Sequence, residues 1–147
     1  MKKIFIIALI ISSIFCFGCS HKGDSETMVK LNKIDISALS NRKIKNIIDD
    51  SSLEEGVYQI NTKSNTYIYF LGVKNEFTDI KCDIEDDTLN IGASLNKKDN
   101  SKELSQKLFV VYQKNNTVSD DKANYYDNIK LTVDGKASSF KSIITID

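Results

Sequence analysis

Apolar residues recur at every second position over much of the chain beyond residue 56, the period of strands that bury one face and wet the other. In "TDIKCDIE", Ile80, Cys82 and Ile84 alternate with Asp79, Lys81, Asp83 and Glu85. In "TLNIGASL", Leu89, Ile91, Ala93 and Leu95 alternate with Thr88, Asn90, Gly92 and Ser94. Asp86 and Asp87 alone separate these runs, so the pair predicts a β-hairpin with a tight turn. "VYQINT", after Gly56, predicts a further strand. "TYIYFLGV" and "KLFVVYQ" are apolar on both faces, which only interior strands can bury. The chain closes with "IKLTV", the turn Asp134-Gly135 and "SSFKSIITI". Asp-Gly accepts the positive φ angles of a type I′ turn, which makes this the strongest hairpin signal in the chain.

The earlier part is less regular. In "VKLNKIDI", Val29 and Leu31 are followed by Ile34 and Ile36, a period of two with one slip, which predicts a short strand carrying a bulge. Ile36, Leu39, Ile44, Ile47 and Ile48 come closer to helical spacing, so a helix is expected near 37–48 with Ser37 or Asp35 as N-cap. About seven strands within about 90 residues define the expected fold class: mainly β, an antiparallel β-sandwich of immunoglobulin-like architecture with one short N-terminal helix. The chain has no tryptophan, so the architecture alone is carried over. An α+β sheet backed by the helix, or a small open barrel, is the alternative.

The first residues follow a different rule. Lys2 and Lys3 precede an apolar run from Ile4 to Gly18 that is interrupted only by Ser12 and Ser13. At about 1.5 Å per residue the run spans about 22 Å, less than the roughly 20 residues needed to cross a bilayer core. That pattern is a secretory signal. "FGCS" resembles the lipobox of bacterial lipoproteins, with Gly18 at the small position before the cut and Cys19 as the lipid acceptor. Cys16 stands where that pattern usually has leucine. The resemblance implies a signal peptide at 1–18, a lipid-anchored tether at 19–28 and a single β-rich domain at 29–147, similar to small cell-surface lipoproteins of unknown function. It implies attachment to the cell membrane on the extracytoplasmic face through diacylglyceryl-cysteine, whose two chains suffice for stable anchoring. An ordinary secretory signal with Cys19 unmodified is the competing reading.

Charge and chemistry then narrow the function. Of 20 basic residues Lys2 and Lys3 leave with the signal, against none of the 20 acidic ones, so the mature chain carries a net charge of −2. Nucleic acid is therefore not an expected partner, since phosphates need a basic surface. Of three cysteines only Cys82 lies in the domain, and its alternation with Ile80 and Ile84 makes it a core position. The one histidine, His21, falls in the tether, so no Ser-His or Cys-His pair and no closed zinc set can form in the domain. No cofactor is expected, and no enzyme. Asp83, Glu85, Asp86 and Asp87 form a weak calcium alternative that lacks the spaced loop this ion favours; a solvated strand face and turn is the simpler account. The 114–128 segment is long for a compact domain and holds Tyr125 and Tyr126 with Asp120 and Asp121, a candidate binding loop. Alternatively "NYYDNIKLTV" begins its strand early, with one tyrosine in the core.

The expected function is thus a non-catalytic binding module for a protein or envelope component. A small-molecule or ion carrier serving a transporter is the second expectation, and an inhibitor or immunity-type protein the third.

Overall fold

The computed structural model describes residues 28–99, 103–114, 122–123 and 128–147. Two sheets pack face to face. The six-stranded sheet runs in the order β1 (Met28–Ile34), β6 (Ser105–Lys114), β3 (Thr66–Gly72), β2 (Gly56–Asn61), β10 (Ser142–Thr145), with the two-residue β7 (Lys122–Ala123) also paired to β6. The four-stranded sheet runs β4 (Asn75–Glu85), β5 (Thr88–Lys97), β8 (Ile129–Val133), β9 (Lys136–Ser138).

The two doubly apolar segments lie where their composition requires. β3 sits between β2 and β6, and β6 between β1 and β3. On one face of this sheet Val57, Ile68, Phe70 and Val111 meet Phe77, Leu89, Ile91 and Leu131 of the other sheet. Phe70 anchors that core, 5.4 Å from Phe77 and edge-on to Phe109 at 5.8 Å between ring centres. On the opposite face Tyr58, Ile60, Tyr69, Leu71 and Leu108 meet Ile44 and Ile48 of the short helix α1 (Arg42–Ile48). The protein therefore has three layers, helix on sheet on sheet, and the six-stranded sheet is buried from both sides.

Both expected hairpins form. Asp86 and Asp87 turn between β4 and β5 with φ of 48° and 58°, and Asp134 and Gly135 between β8 and β9 with φ of 51° and 72°. Ile80, Cys82 and Ile84 face the inter-sheet core while Asp79, Lys81, Asp83 and Glu85 are exposed.

Five expectations are corrected. The sandwich is not purely antiparallel: β8 runs parallel to β5, and β10 parallel to β2. Alternation specifies which face is buried, not strand direction, so side-chain period carries no signal for this. The closing apolar stretch is not one strand. It bends at 139–141, so that β9 ends the four-stranded sheet and β10 crosses to the six-stranded one. The helix expected near 37–48 is split into a 3₁₀ turn, Ile36–Ala38, and α1. Asn41 causes the division by accepting from the backbone N–H groups of Lys43 and Ile44, while Asp35 caps the 3₁₀ turn. β1 carries no bulge: its register against β6 is continuous from Met28 to Ile34, and the apparent slip arises because Val29 and Leu31 face the inter-sheet core whereas Ile34 faces the helix layer. A register shift falls instead in β4, between Thr78 and Lys81, where Asp79 has φ 48°. Finally Thr88, expected on the wet face, is buried, because β5 is an interior strand and Asn128 closes over it with a 2.8 Å bond from Nδ2 to Thr88 Oγ1.

Candidate functional site

The acidic group of the sequence reading lies on the outer face of β4 and in its turn. Asp83 accepts a 2.9 Å bond from Asn90 Nδ2, and Glu85, Asp86 and Asp87 are exposed. Among the described residues no three His, Cys, Asp or Glu side chains are gathered to hold a metal ion. Cys82 is half-buried in the inter-sheet core with Sγ 3.8 Å from the Val29 carbonyl oxygen, and burial pushes its thiol above the usual value. A thiol held protonated is a poor nucleophile, consistent with a packing role. Gly18, Cys19, Asp120, Asp121, Tyr125 and Tyr126 lie outside the described residues.

A different surface emerges from the way the helix covers its sheet. α1 spans seven residues, about 10 Å, whereas the strands beneath it are longer. At the end of the sheet where β1 finishes and β6 begins, the helix-side face continues past Ile48 with only partial cover. Ile34, Ile36, Leu53 and Val73 are half-buried there. Leu104, just before β6, stands among them 58% exposed, one of two large apolar side chains so open among the described residues. It divides two shallow hollows. One of about 610 Å³ is lined by Lys33, Ile34, Asp35 and Ile36, the other of about 460 Å³ by Ile48, Asp50, Leu53 and Val73; Leu104 and Gln106 border both.

The floor and rim of this surface are fixed by hydrogen bonds. Gln106 Nε2 donates to Tyr69 Oη at 2.8 Å, tying the amide to a fully buried ring whose phenol is raised by burial. On the rim, the Ser37 hydroxyl and backbone N–H hold the Asp35 carboxyl below its usual value, and Ser52 does the same for Asp50. Both therefore remain charged at neutral pH.

Beside Val73 the β3–β4 turn is shaped by one carboxylate. Glu55 Oε2 accepts from the backbone N–H groups of Val73, Lys74 and Asn75 at 2.8, 2.7 and 2.8 Å, and Oε1 accepts from Asn75 Nδ2 at 2.6 Å. The turn is so tight that a Cβ at Gly72 would lie 2.0 Å from the Asn75 carbonyl oxygen, which excludes any other residue without rearrangement. Partial burial raises the Glu55 pKa, but the four bonds outweigh it and lower the group from 4.5 to about 2. Three consecutive N–H groups converging on one oxygen form an anion-binding nest, here filled by the protein's own side chain. The two sheets are further tied by Lys107 of β6, which donates to Glu76 Oε1 at 2.7 Å and to the Phe77 carbonyl at 2.6 Å.

Chemically, the Leu104 surface offers aliphatic contact rimmed by fixed carboxylates and one lysine. It can seat apolar side chains of a partner. In the polar stretch "NKKDNSKELSQ" Leu104 is the lone leucine, and this is the one sign of the surface that the sequence carries. For the Glu55 clamp the sequence carries no sign, since it spans residues 18 to 20 apart.

No protein-family model, no curated protein and no solved structure matches this chain.

Proposed function

We propose that this protein is a membrane-anchored extracytoplasmic lipoprotein whose domain acts as a non-catalytic binding module, using the surface around Leu104 to hold an aliphatic segment of a protein or envelope partner. One observation carries the reading. β1 begins at Met28, paired with Lys114, and ends at Ile34, paired with Leu108, so the chain enters the domain at the end of the sheet opposite the Leu104 surface. A seven-residue strand covers about 20 Å. A chain fixed to lipid at Cys19 reaches Met28 across at most about 32 Å. The Leu104 surface then lies at the end of the domain far from the point of attachment, where a partner can approach. The non-catalytic reading is motivated by residue chemistry: the one histidine, His21, precedes the domain, so a Ser-His or Cys-His pair is not expected within it.

The test is fractionation and intact-mass measurement of the full chain in a bacterial host. The parent is expected in the membrane fraction with residue 19 as the diacylated N-terminus, and Cys19→Ser is expected to lose both the lipid mass and membrane retention. An unmodified Cys19, or equal retention of processed Cys19→Ser, defeats the anchoring. A partner recovered with the parent is expected to be lost with Leu104→Asp; turnover of a defined substrate by the purified protein defeats the non-catalytic reading.

A further inference from the structure

Sheet edges are where β-proteins join one another, and among the described residues three of the four strands that end the two sheets are blunted; β7, paired to β6 off that path, has only two residues. β1 carries exposed Lys30 and Lys33, and its Val29 carbonyl faces Cys82 of the other sheet. β4 is interrupted by its register shift and lined by Asp79, Lys81, Asp83 and Glu85. β9 has three residues, the first a lysine. Charges, bulges and shortness are the usual devices that keep an edge from pairing. The fourth edge, β10, has none of the chemical ones. Its sequence Ser142, Ile143, Ile144, Thr145 is uncharged, with its last three residues β-branched, its register against β2 is unbroken, and Ile143 is 62% exposed.

We infer that β10 is the seam of a two-fold dimer in which the six-stranded sheets of two copies join edge to edge in antiparallel fashion. A two-fold axis through Ile143 sets this residue opposite Ile143 of the second copy and Ser142 opposite Ile144, so the exposed isoleucine is covered by its own symmetry mate. Ile143 pairs with Gln59 of β2 and shares its face, the side turned to the other sheet. There the sandwich opens as a slot of about 420 Å³ lined by Ile129, Leu131, Ala137, Phe140 and Ile143. A second isoleucine arriving at the edge covers the mouth of this slot. Charge supports a second copy over a foreign strand: in this register Lys141 lies opposite Thr145 and diagonal to Asp147 of the second copy, and the reverse pair repeats across the axis. Diagonal neighbours are within reach of a long side chain. Lys141 at present lays its stem over Gly56 and pairs at 3.1 Å with the exposed Glu54, a solvent-screened ion pair that reorientation toward Asp147 replaces.

The experiment uses the full chain in membranes. Ile143→Cys with a mild oxidant is expected to give a disulfide-linked dimer absent from the parent, while Ser64→Cys, in the exposed β2–β3 turn, gives none. Adding Lys141→Asp is expected to reduce that dimer, and Asp147→Lys on top of it to restore it. Equal cross-linking of Ser64→Cys, no dimer with Ile143→Cys, or a disulfide to a different protein each overturns the inference. As a second measurement independent of these cysteines, sedimentation of the parent in detergent is expected to give the mass of two copies, reduced to one by Ile143→Lys; a monomeric parent overturns it.

Discussion

Glu55 illustrates how a single side chain can set a turn that no local pattern announces. Its carboxylate replaces water for three backbone N–H groups and one amide, and those bonds are strongest to the charged form. A folded pKa near 2 against an ordinary 4.5 means the native state binds the proton less readily than the unfolded chain. The resulting stability is complete above about pH 4.5 and is lost as the pH falls toward about 2. Glu55→Gln keeps the shape but replaces a charged acceptor with a neutral one, and is expected to cost about 1–3 kcal/mol at pH 7. Thermal melts of parent and variant are expected to converge on acidification through that window; a gap that stays constant across it contradicts the clamp.

At the scale of elements, local chemistry decides where strands and helices stop. Asn41 takes the first N–H groups of α1 and thereby cuts short a helix that hydrophobic spacing alone extends back to residue 37. The β4–β5 turn depends on two aspartates held at positive φ, a region that a short polar side chain tolerates and a β-branched one does not. Asp87→Gly is expected to leave stability near the parent's, and Asp87→Val to lie at least about 1 kcal/mol below it. Urea denaturation midpoints check this, and equal midpoints for the two variants contradict a type I′ turn. The same comparison explains why these acids are a poor metal site: their backbone conformation serves the hairpin, and the side chains remain in solvent.

At the scale of the whole molecule, the short helix divides the outer face of the six-stranded sheet into a covered part and an open part. Ile44 lies in the covered part with no exposure and Leu104 in the open part. Ile44→Ala is expected to cost about 2–5 kcal/mol, and Leu104→Ala no more than about 0.5 kcal/mol. Chemical denaturation of both variants tests this, and a large loss with Leu104→Ala argues that the residue is structural rather than a contact for a partner. The local content of the fold is legible along the chain: strands from period-two alternation, the interior places of β3 and β6 from their doubly apolar faces, the two tight turns from Asp86-Asp87 and Asp134-Gly135, and Cys82 as a core position. Each is legible because side-chain period and backbone preference are properties of neighbouring residues. Features that depend on residues far apart emerge only in three dimensions: the parallel pairing of β5 with β8 and β2 with β10, the crossing of the last strand between sheets, the burial of Thr88, the Glu55 clamp and the Leu104 surface. Pairing partners are chosen by the closure of the whole core, and no period along the chain records which distant strand lies alongside.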